Sequence, residues 1–140
     1  MEKQDYLERQ IQQLTQALTR IISNFLGVKN QSVSNEILEQ TNNSLNEYFG
    51  FDLLDLSKLS NEDFIKIIQN NKSLNIENLD KLSDFIELFA GMKSENEKII
   101  LLKKSMEIID YIDKKESIYC FERQMKKDKI RKKLNLLVIN

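Results

Sequence analysis

The chain contains no proline, and its three glycines stand far apart along 140 residues. These two residue types most disfavour a helix interior, and folds made of strands need many of them in their turns. Because 41% of the residues are hydrophobic and 31% are charged, the long uninterrupted stretches can form amphipathic helices around a core. The sequence therefore predicts an all-α fold, a compact bundle of about six antiparallel helices that forms a single domain over residues 1–140.

The residue types on which many enzymes and metal sites depend are missing. The chain has no histidine, and Cys120 is its only cysteine. This composition excludes Ser-His and Cys-His nucleophile pairs, an internal disulfide and a cysteine-based structural zinc site. Cys120 lies between Tyr119 and Phe121, a setting more typical of a packing residue than of a nucleophile. We predict a protein that is not an enzyme, with no catalytic residues, no cofactor and no bound metal.

Two further sequence patterns predict where in the cell the protein is located. Residues 1–5 lack the basic and apolar regions of a signal peptide. The longest apolar runs, 99–102 and 136–139, fall far short of the ~20 residues that cross a bilayer as a helix. We expect a cytoplasmic protein that does not associate with membranes.

The first helix has the clearest pattern. Asp5 is a candidate N-cap, Gly27 is a candidate stop, and the flanking heptad positions are nearly uncharged. A two-stranded zipper would carry opposite charges there, so the apolar stripe favours a bundle core over a coiled-coil seam. The stripe repeats at spacings of four and three and comprises Leu7, Ile11, Leu14, Leu18, Ile21 and Phe25.

Five more helices follow from apolar spacing and end signals. Ser60, Asn75 and Ser94 are the predicted caps of the third, fourth and fifth helices. The fifth is apolar on more than one side, which indicates a central position between neighbours. Residues 51–56 are apolar enough for a short helical turn on the core. The predicted ranges are 35–49, 60–71, 75–91, 94–114 and 117–134, and the last is expected to direct Ile118, Phe121, Met125, Ile130 and Leu134 inward.

The C-terminal helix is the most unusual segment by charge. Between residues 122 and 133 it carries seven basic residues against only Glu122 and Asp128. One interpretation is a contact surface for an anionic partner such as a phosphate backbone. The other, which we favour, is a solvated outer face or one neutralised by acidic helices of the same domain, since the whole chain has a formal net charge of −1. The candidate contact residues are Arg123, Lys126, Lys127, Lys129, Arg131, Lys132 and Lys133.

Three carboxylates are close enough in sequence to be candidates for a metal site or an acid–base pair. Asp80, Asp84 and Glu87 share one face of the fourth predicted helix. That face lies opposite the helix's apolar stripe, so these carboxylates are expected to point into water. Carboxylate metal sites in helical bundles project inward instead. A carboxylate-metal hydrolase is therefore only a remote alternative.

Three short stretches are similar to one known family. They are Asp5-Tyr6-x-x-Arg9-x-Ile11-x-x-Leu14, Gly50-x-Asp52 leading into Leu59-Ser60-x-Glu62-Asp63, and Tyr119-x-Phe121-Glu122-Arg123. Together they resemble a family of short bacterial all-helical proteins that is classed as a domain of unknown function. The resemblance implies no activity. It implies helix pairs in the second half that stack like those of tetratricopeptide modules.

The sequence as a whole favours binding over chemistry. The main hypothesis is a non-catalytic helical module that binds another protein or associates with itself, because apolar stripes are abundant and catalytic residue types are scarce. The alternative is a nucleic-acid-associated regulator that uses the basic C-terminal helix.

Overall fold

A computed structural model describes residues 2–27 and 34–139 of the chain. Over these ranges the protein is all-helical, which confirms the predicted fold class, and the four-residue α3 is the short helical turn expected within 51–56. Among these residues, no helix combines the length and the apolar character that crossing a bilayer requires. The seven helices are α1 (Glu2–Leu26), α2 (Asn35–Phe49), α3 (Leu53–Leu56), α4 (Asn61–Asn70), α5 (Ile76–Ala90), α6 (Glu95–Lys115) and α7 (Phe121–Ile139).

Local sequence signals fix several helix ends. The Ser60 hydroxyl accepts a hydrogen bond from the Asp63 amide at 3.1 Å, and the Asn75 side chain accepts one from the Asn78 amide at 2.9 Å. Both caps satisfy amides that the first turn of a helix leaves without partners. Gly50 ends α2 in the left-handed region at a φ of 78°, where a side chain would be strained. These three predictions are confirmed.

Other predicted ends are wrong in whole or in part. Asp5 lies inside α1, because that helix already begins at Glu2. Ser94 is the N-cap residue of α6, as predicted, and its carbonyl accepts a hydrogen bond from the Lys98 amide, but its side chain makes no capping hydrogen bond. The last helix begins at Phe121 and continues to Ile139, instead of spanning 117–134. Residues 116–120 form the connection that leads into it.

The core is one continuous cluster to which α1, α5 and α6 contribute most. Helix α5 lies between the other two and packs closely against both. The Phe25 ring of α1 meets the rings of Phe85 and Phe89 edge-on, with centroids 5.2 Å and 6.2 Å away. Edge-to-face contacts of this kind add about 0.5–1.5 kcal/mol to the free energy of burial. The predicted core role of the α1 stripe is therefore confirmed at Phe25.

Helix α6 has neighbours on three sides, as its broad apolar surface predicts. It packs against α4, α5 and α7. Ser83 and Ser105 lie buried between α5 and α6, and their hydroxyl oxygens are 2.7 Å apart. Each hydroxyl also lies within hydrogen-bonding distance of the other residue's backbone carbonyl, at 3.3 Å and 3.0 Å, so each of the two protons has an acceptor across the helix pair. Two small polar residues thus let the helices approach without unsatisfied groups.

One cation is buried on α6. Lys104 is 1% exposed, its ammonium donates to the Leu59 carbonyl at 2.6 Å, and it lies 5.9 Å from the centre of the Phe64 ring. Burial lowers the pKa of Lys104 below its ordinary value of 10.5. This lysine joins α6 to the residue that precedes the Ser60 cap of α4. The contact requires the removal of water from the charged ammonium, which is energetically unfavourable.

Candidate functional site on the C-terminal helix

Helix α7 turns part of its charged side toward the protein. Arg123 is 5% exposed and Lys127 is 8% exposed, and Ile130 lies fully buried on the same face. The spacing of four and three residues places all three on one side of the helix. Ile130 was correctly predicted to face inward. The burial of the two cations was not predicted.

Arg123 joins α7 to the C-terminal end of α6. Its Nε donates to Asp113 Oδ1 at 3.0 Å, and its Nη2 donates to Glu116 Oε2 at 2.5 Å. Burial alone would lower the pKa of Arg123, but the hydrogen bonds to Asp113 and Glu116 outweigh that effect and raise it. The guanidinium is planar and always charged, so two carboxylates can hold it in one orientation. Arg123 therefore ties the first turn of α7 to the end of α6 and to the connection after it.

Lys127, one turn further along α7, shares the same acidic partner. Its ammonium lies 2.5 Å from Asp113 Oδ2 and 2.9 Å from Asp110 Oδ1. Burial would raise the pKa of Asp113, but hydrogen bonds from Lys127 and Arg123 more than offset this and lower it. The same bonds raise the pKa of Lys127 despite its burial. Asp113 is thus the shared acceptor of two buried cations.

A second set of ion pairs connects α7 to α5. Lys126 lies 2.7 Å from Asp84 Oδ1 and 3.8 Å from Asp80 Oδ1. The expectation that these carboxylates point into water is wrong for Asp80 in particular, since its Oδ1 is buried and has no hydrogen-bond partner. Burial raises the pKa of Asp80, and the nearby Lys126 only partly opposes this. These carboxylates serve as counter-ions of α7.

Glu87 takes the same role further along α5. Its side chain is only 13% exposed, and its Oε1 accepts a hydrogen bond from Lys133 at 2.8 Å while Lys129 lies 3.6 Å away. Together with Asp80 and Asp84, it forms the part of a charge seam that α5 contributes. We use "charge seam" for the basic residues Arg123, Lys126, Lys127, Lys129 and Lys133 with their acidic partners Asp80, Asp84, Glu87, Asp110, Asp113 and Glu116.

The remaining two candidate contact residues lie outside the charge seam. Arg131 is exposed and pairs with Asp128 on its own helix at 3.2 Å. Lys132 is exposed as well. Five of the seven candidate residues therefore take part in ion pairs with α5 or α6, as expected for a basic face that acidic helices of the same domain neutralise. Contact with an anionic partner stays a prediction for all seven.

The acidic residues do not assemble into a metal site in the described part of the chain. Within 2–27 and 34–139, no group of three or more Cys, Asp or Glu side chains is arranged to hold a metal ion. Asp80, Asp84 and Glu87 contact lysines instead. The geometry therefore offers no support to the carboxylate-metal hydrolase alternative.

The opposite side of α7 and the connection before it expose large apolar side chains. Ile118 is 76% exposed, Tyr119 71%, Phe121 65% and Met125 56%. Three of them, Ile118, Phe121 and Met125, were predicted to face the core, and that prediction is wrong. Four large apolar side chains within eight residues are unusual on a protein surface that contacts nothing. We call Ile118, Tyr119, Phe121 and Met125 the apolar patch.

Two concavities lie elsewhere, around the N-terminal half of α1. One, of about 780 Å³, opens between this half of α1, the C-terminal ends of α2 and α4, and the residues after α4. The other, of about 820 Å³, lies beside it along the first turns of α1. Amide and charged side chains line much of the first cleft, among them Gln10, Gln13, Asn70 and Lys72. Asn71, also in the lining, already donates to the Tyr48 carbonyl at 2.9 Å. The first cleft therefore offers mainly polar contacts.

Comparisons with known proteins add no relative. The resemblance to a bacterial all-helical family, and the tetratricopeptide-like stacking that it implies, therefore stay predictions. The chain matches no protein-family model, no curated protein and no solved structure.

Proposed function

We propose that this protein is a non-catalytic helical interaction module that binds protein through the apolar patch on the α6–α7 connection and the first turns of α7. The observation that carries the proposal is the exposure of Ile118, Tyr119, Phe121 and Met125 within eight residues of chain. Aromatic residues and methionine are enriched in the contact surfaces of proteins and dominate their binding energy. Clusters of large exposed apolar side chains mark such contact sites.

The charge seam supports this function by holding the patch in place. Arg123 lies between Phe121 and Met125 in sequence and is fixed by two carboxylates of α6 and the connection after it. A helix that is already ordered loses little conformational freedom when a partner binds, so more of the contact energy appears as affinity. The buried cations thus hold α7 in place, and the exposed apolar residues on its other side are available to a partner.

The nucleic-acid alternative receives less support. Phosphate contacts need accessible cations, whereas Arg123 and Lys127 are buried and paired with carboxylates. The outer side of α7 also carries Glu122 and Asp128, which would repel a phosphate backbone.

A cytoplasmic location belongs to the same proposal and agrees with a chain that has a single cysteine. Fractionation of cells that express the tagged chain checks it.

Site-specific photo-crosslinking tests the proposed function. A photoreactive amino acid replaces Phe121 in one variant and Leu54 in a control, since Leu54 is similarly exposed at 62% but lies on α3. We expect the variant at position 121 to yield discrete crosslinked species in cells, and competition by excess unmodified protein to remove them. Discrete species of the same mass and yield from position 54, or none from position 121, would contradict the proposal.

A further inference from the structure

The exposed side of α7, opposite its buried cations, carries both acidic and basic residues. Its residues recur at helical spacing on the side opposite Arg123, Lys127 and Ile130. All of them are exposed. We call this surface the outer face, and it comprises Phe121, Glu122, Met125, Asp128, Lys129, Lys132 and Leu136.

Charge on the outer face is divided along the helix. Its acidic residues, Glu122 and Asp128, precede its basic residues, Lys129 and Lys132. Asp128 also pairs with Arg131, and Lys129 with Glu87, but all four charged residues of the outer face are exposed and can contact a partner as well. Two such faces packed antiparallel place the acidic half of each helix against the basic half of the other. Packed parallel, like charges would oppose each other along the whole length. The antiparallel arrangement also opposes the two helix dipoles favourably.

On this charge complementarity, we propose that the occupant of the outer face is a second copy of this chain, with the two α7 helices packed antiparallel about a two-fold axis. Such an interface is self-complementary, so one charge pattern satisfies both sides. This inference rests on the proposed function and names the partner.

The apolar residues of the outer face agree with the same packing. Phe121 and Leu136 stand at opposite ends, fifteen residues or roughly 22 Å apart along the helix. Leu136 is 66% exposed. In the antiparallel pair, Phe121 lies beside the partner's Leu136 at each end, and the opposite charges lie between these two contacts. Both ends of the interface then bury apolar surface that one copy leaves in water.

The interface is small. Helix α7 has 19 residues and is about 28 Å long. A single helix pair of this length falls at or below the ~1,200 Å² that marks the low end of specific protein interfaces. Interfaces of this size are typical of weak, transient contacts, so the assay must extend to several hundred micromolar protein (on the order of the highest workable concentration).

Sedimentation equilibrium of charge-reversal variants tests the inference. One variant, Lys132→Glu, makes the basic half more acidic, and the other, Glu122→Lys, makes the acidic half more basic. Each reversal occurs twice in a symmetric dimer and places like charges together, so we expect each variant alone to associate at least tenfold more weakly than the unaltered chain. Mixed in equal amounts, the two variants restore opposite pairs, and we expect association to return to within about threefold.

Lys58→Glu is the matched control. It gives the same net charge as Lys132→Glu at an exposed residue outside α7, and it should leave association unchanged. Far-UV circular dichroism and urea unfolding establish that each variant is folded before it is compared.

Two results overturn the inference. One is an unaltered chain that remains monomeric at 500 μM (about the upper limit of the assay range). The other is a dimer that the reversals weaken no more than Lys58→Glu does, or that mixing fails to restore. Neither result decides the proposed function, because crosslinking at position 121 still detects a partner of different mass. Conversely, the dimer with the predicted charge dependence confirms the inference, and crosslinking between two copies at position 121 then confirms the proposed function.

Discussion

The charge seam makes Asp113 the residue whose charge should matter most for the position of α7. Asp113→Asn keeps the shape of the side chain but removes the negative charge that Arg123 and Lys127 share. Each cation then retains one carboxylate, Glu116 for Arg123 and Asp110 for Lys127. Both cations stay buried, at 5% and 8% exposure, so neither can recover its lost partner from water.

The magnitude of this loss follows from burial. Removal of one partner from a fully buried ion pair costs about 3–5 kcal/mol. The Asp113 side chain is 24% exposed, and the two remaining carboxylates are more accessible. We therefore expect Asp113→Asn to lower the free energy of unfolding by about 2–3 kcal/mol, below the range for a fully buried pair. At a urea m-value of ~2 kcal/mol per molar, the unfolding midpoint falls by roughly 1–1.5 M.

Urea unfolding at pH 7, followed by far-UV circular dichroism, measures this difference. The matched control is Asp128→Asn, which removes the partner of Arg131 in an exposed pair on the same helix. Exposed pairs contribute about 0–1 kcal/mol, so the control should change the midpoint by less than 0.5 M (an estimate from about 0–1 kcal/mol). If the two variants lose the same stability, the buried pairs of Asp113 do not anchor α7 and our reasoning is wrong.

The shared carboxylate also predicts how stability depends on acid. The pKa of Asp113 lies below its ordinary value of 3.8 in the folded protein. Its contribution to stability is therefore fully present above that value and is lost as the pH falls through the folded pKa. The stability difference between the unaltered chain and Asp113→Asn should then narrow as the pH falls below about 4. A difference that widens on acidification would contradict the assignment.

Three further predictions concern the core and the turns. Burial lowers the pKa of Lys104, so the cost of burying its charge is fully present below the folded pKa and absent above 10.5. Lys104→Met removes this cost. Its free energy of unfolding relative to that of the unaltered chain, measured with urea, should therefore be greater at pH 7 than at pH 10. Gly50→Ala should lower the free energy of unfolding by ~1 kcal/mol, because a side chain is strained at the positive φ of residue 50. Gly27→Ala is the control, since its Cβ meets only ordinary contacts and should cost no stability. Equal losses from the two variants would contradict the role of the positive φ. Phe85→Ala should lower it by about 3–5 kcal/mol, as for other buried aromatic residues, and a loss under ~1 kcal/mol would show that the site refills.

The sequence by itself determined most of the helices. Ser60 and Asn75 cap α4 and α5, and Gly50 ends α2, because these signals act within one turn of chain. The apolar stripes of α1 and α5 are also local patterns with one strong helical period, so their buried faces could be predicted. Asp5 shows the limit of such signals, since a residue that can cap a helix need not do so, and Ser94 takes the N-cap position of α6 without a side-chain hydrogen bond.

Only the tertiary structure decided which side of α7 faces inward. The rule that apolar residues face the core predicted Phe121 and Met125 as inward, yet Arg123 and Lys127 lie there. These cations can be buried because carboxylates from α5, α6 and the connection after α6 converge on α7, and Glu87, for example, lies 46 residues before its partner Lys133. Nothing within α7 encodes that convergence. The exposed apolar patch and the charge division of the outer face follow from it, so the candidate site emerged only when the helices were packed together.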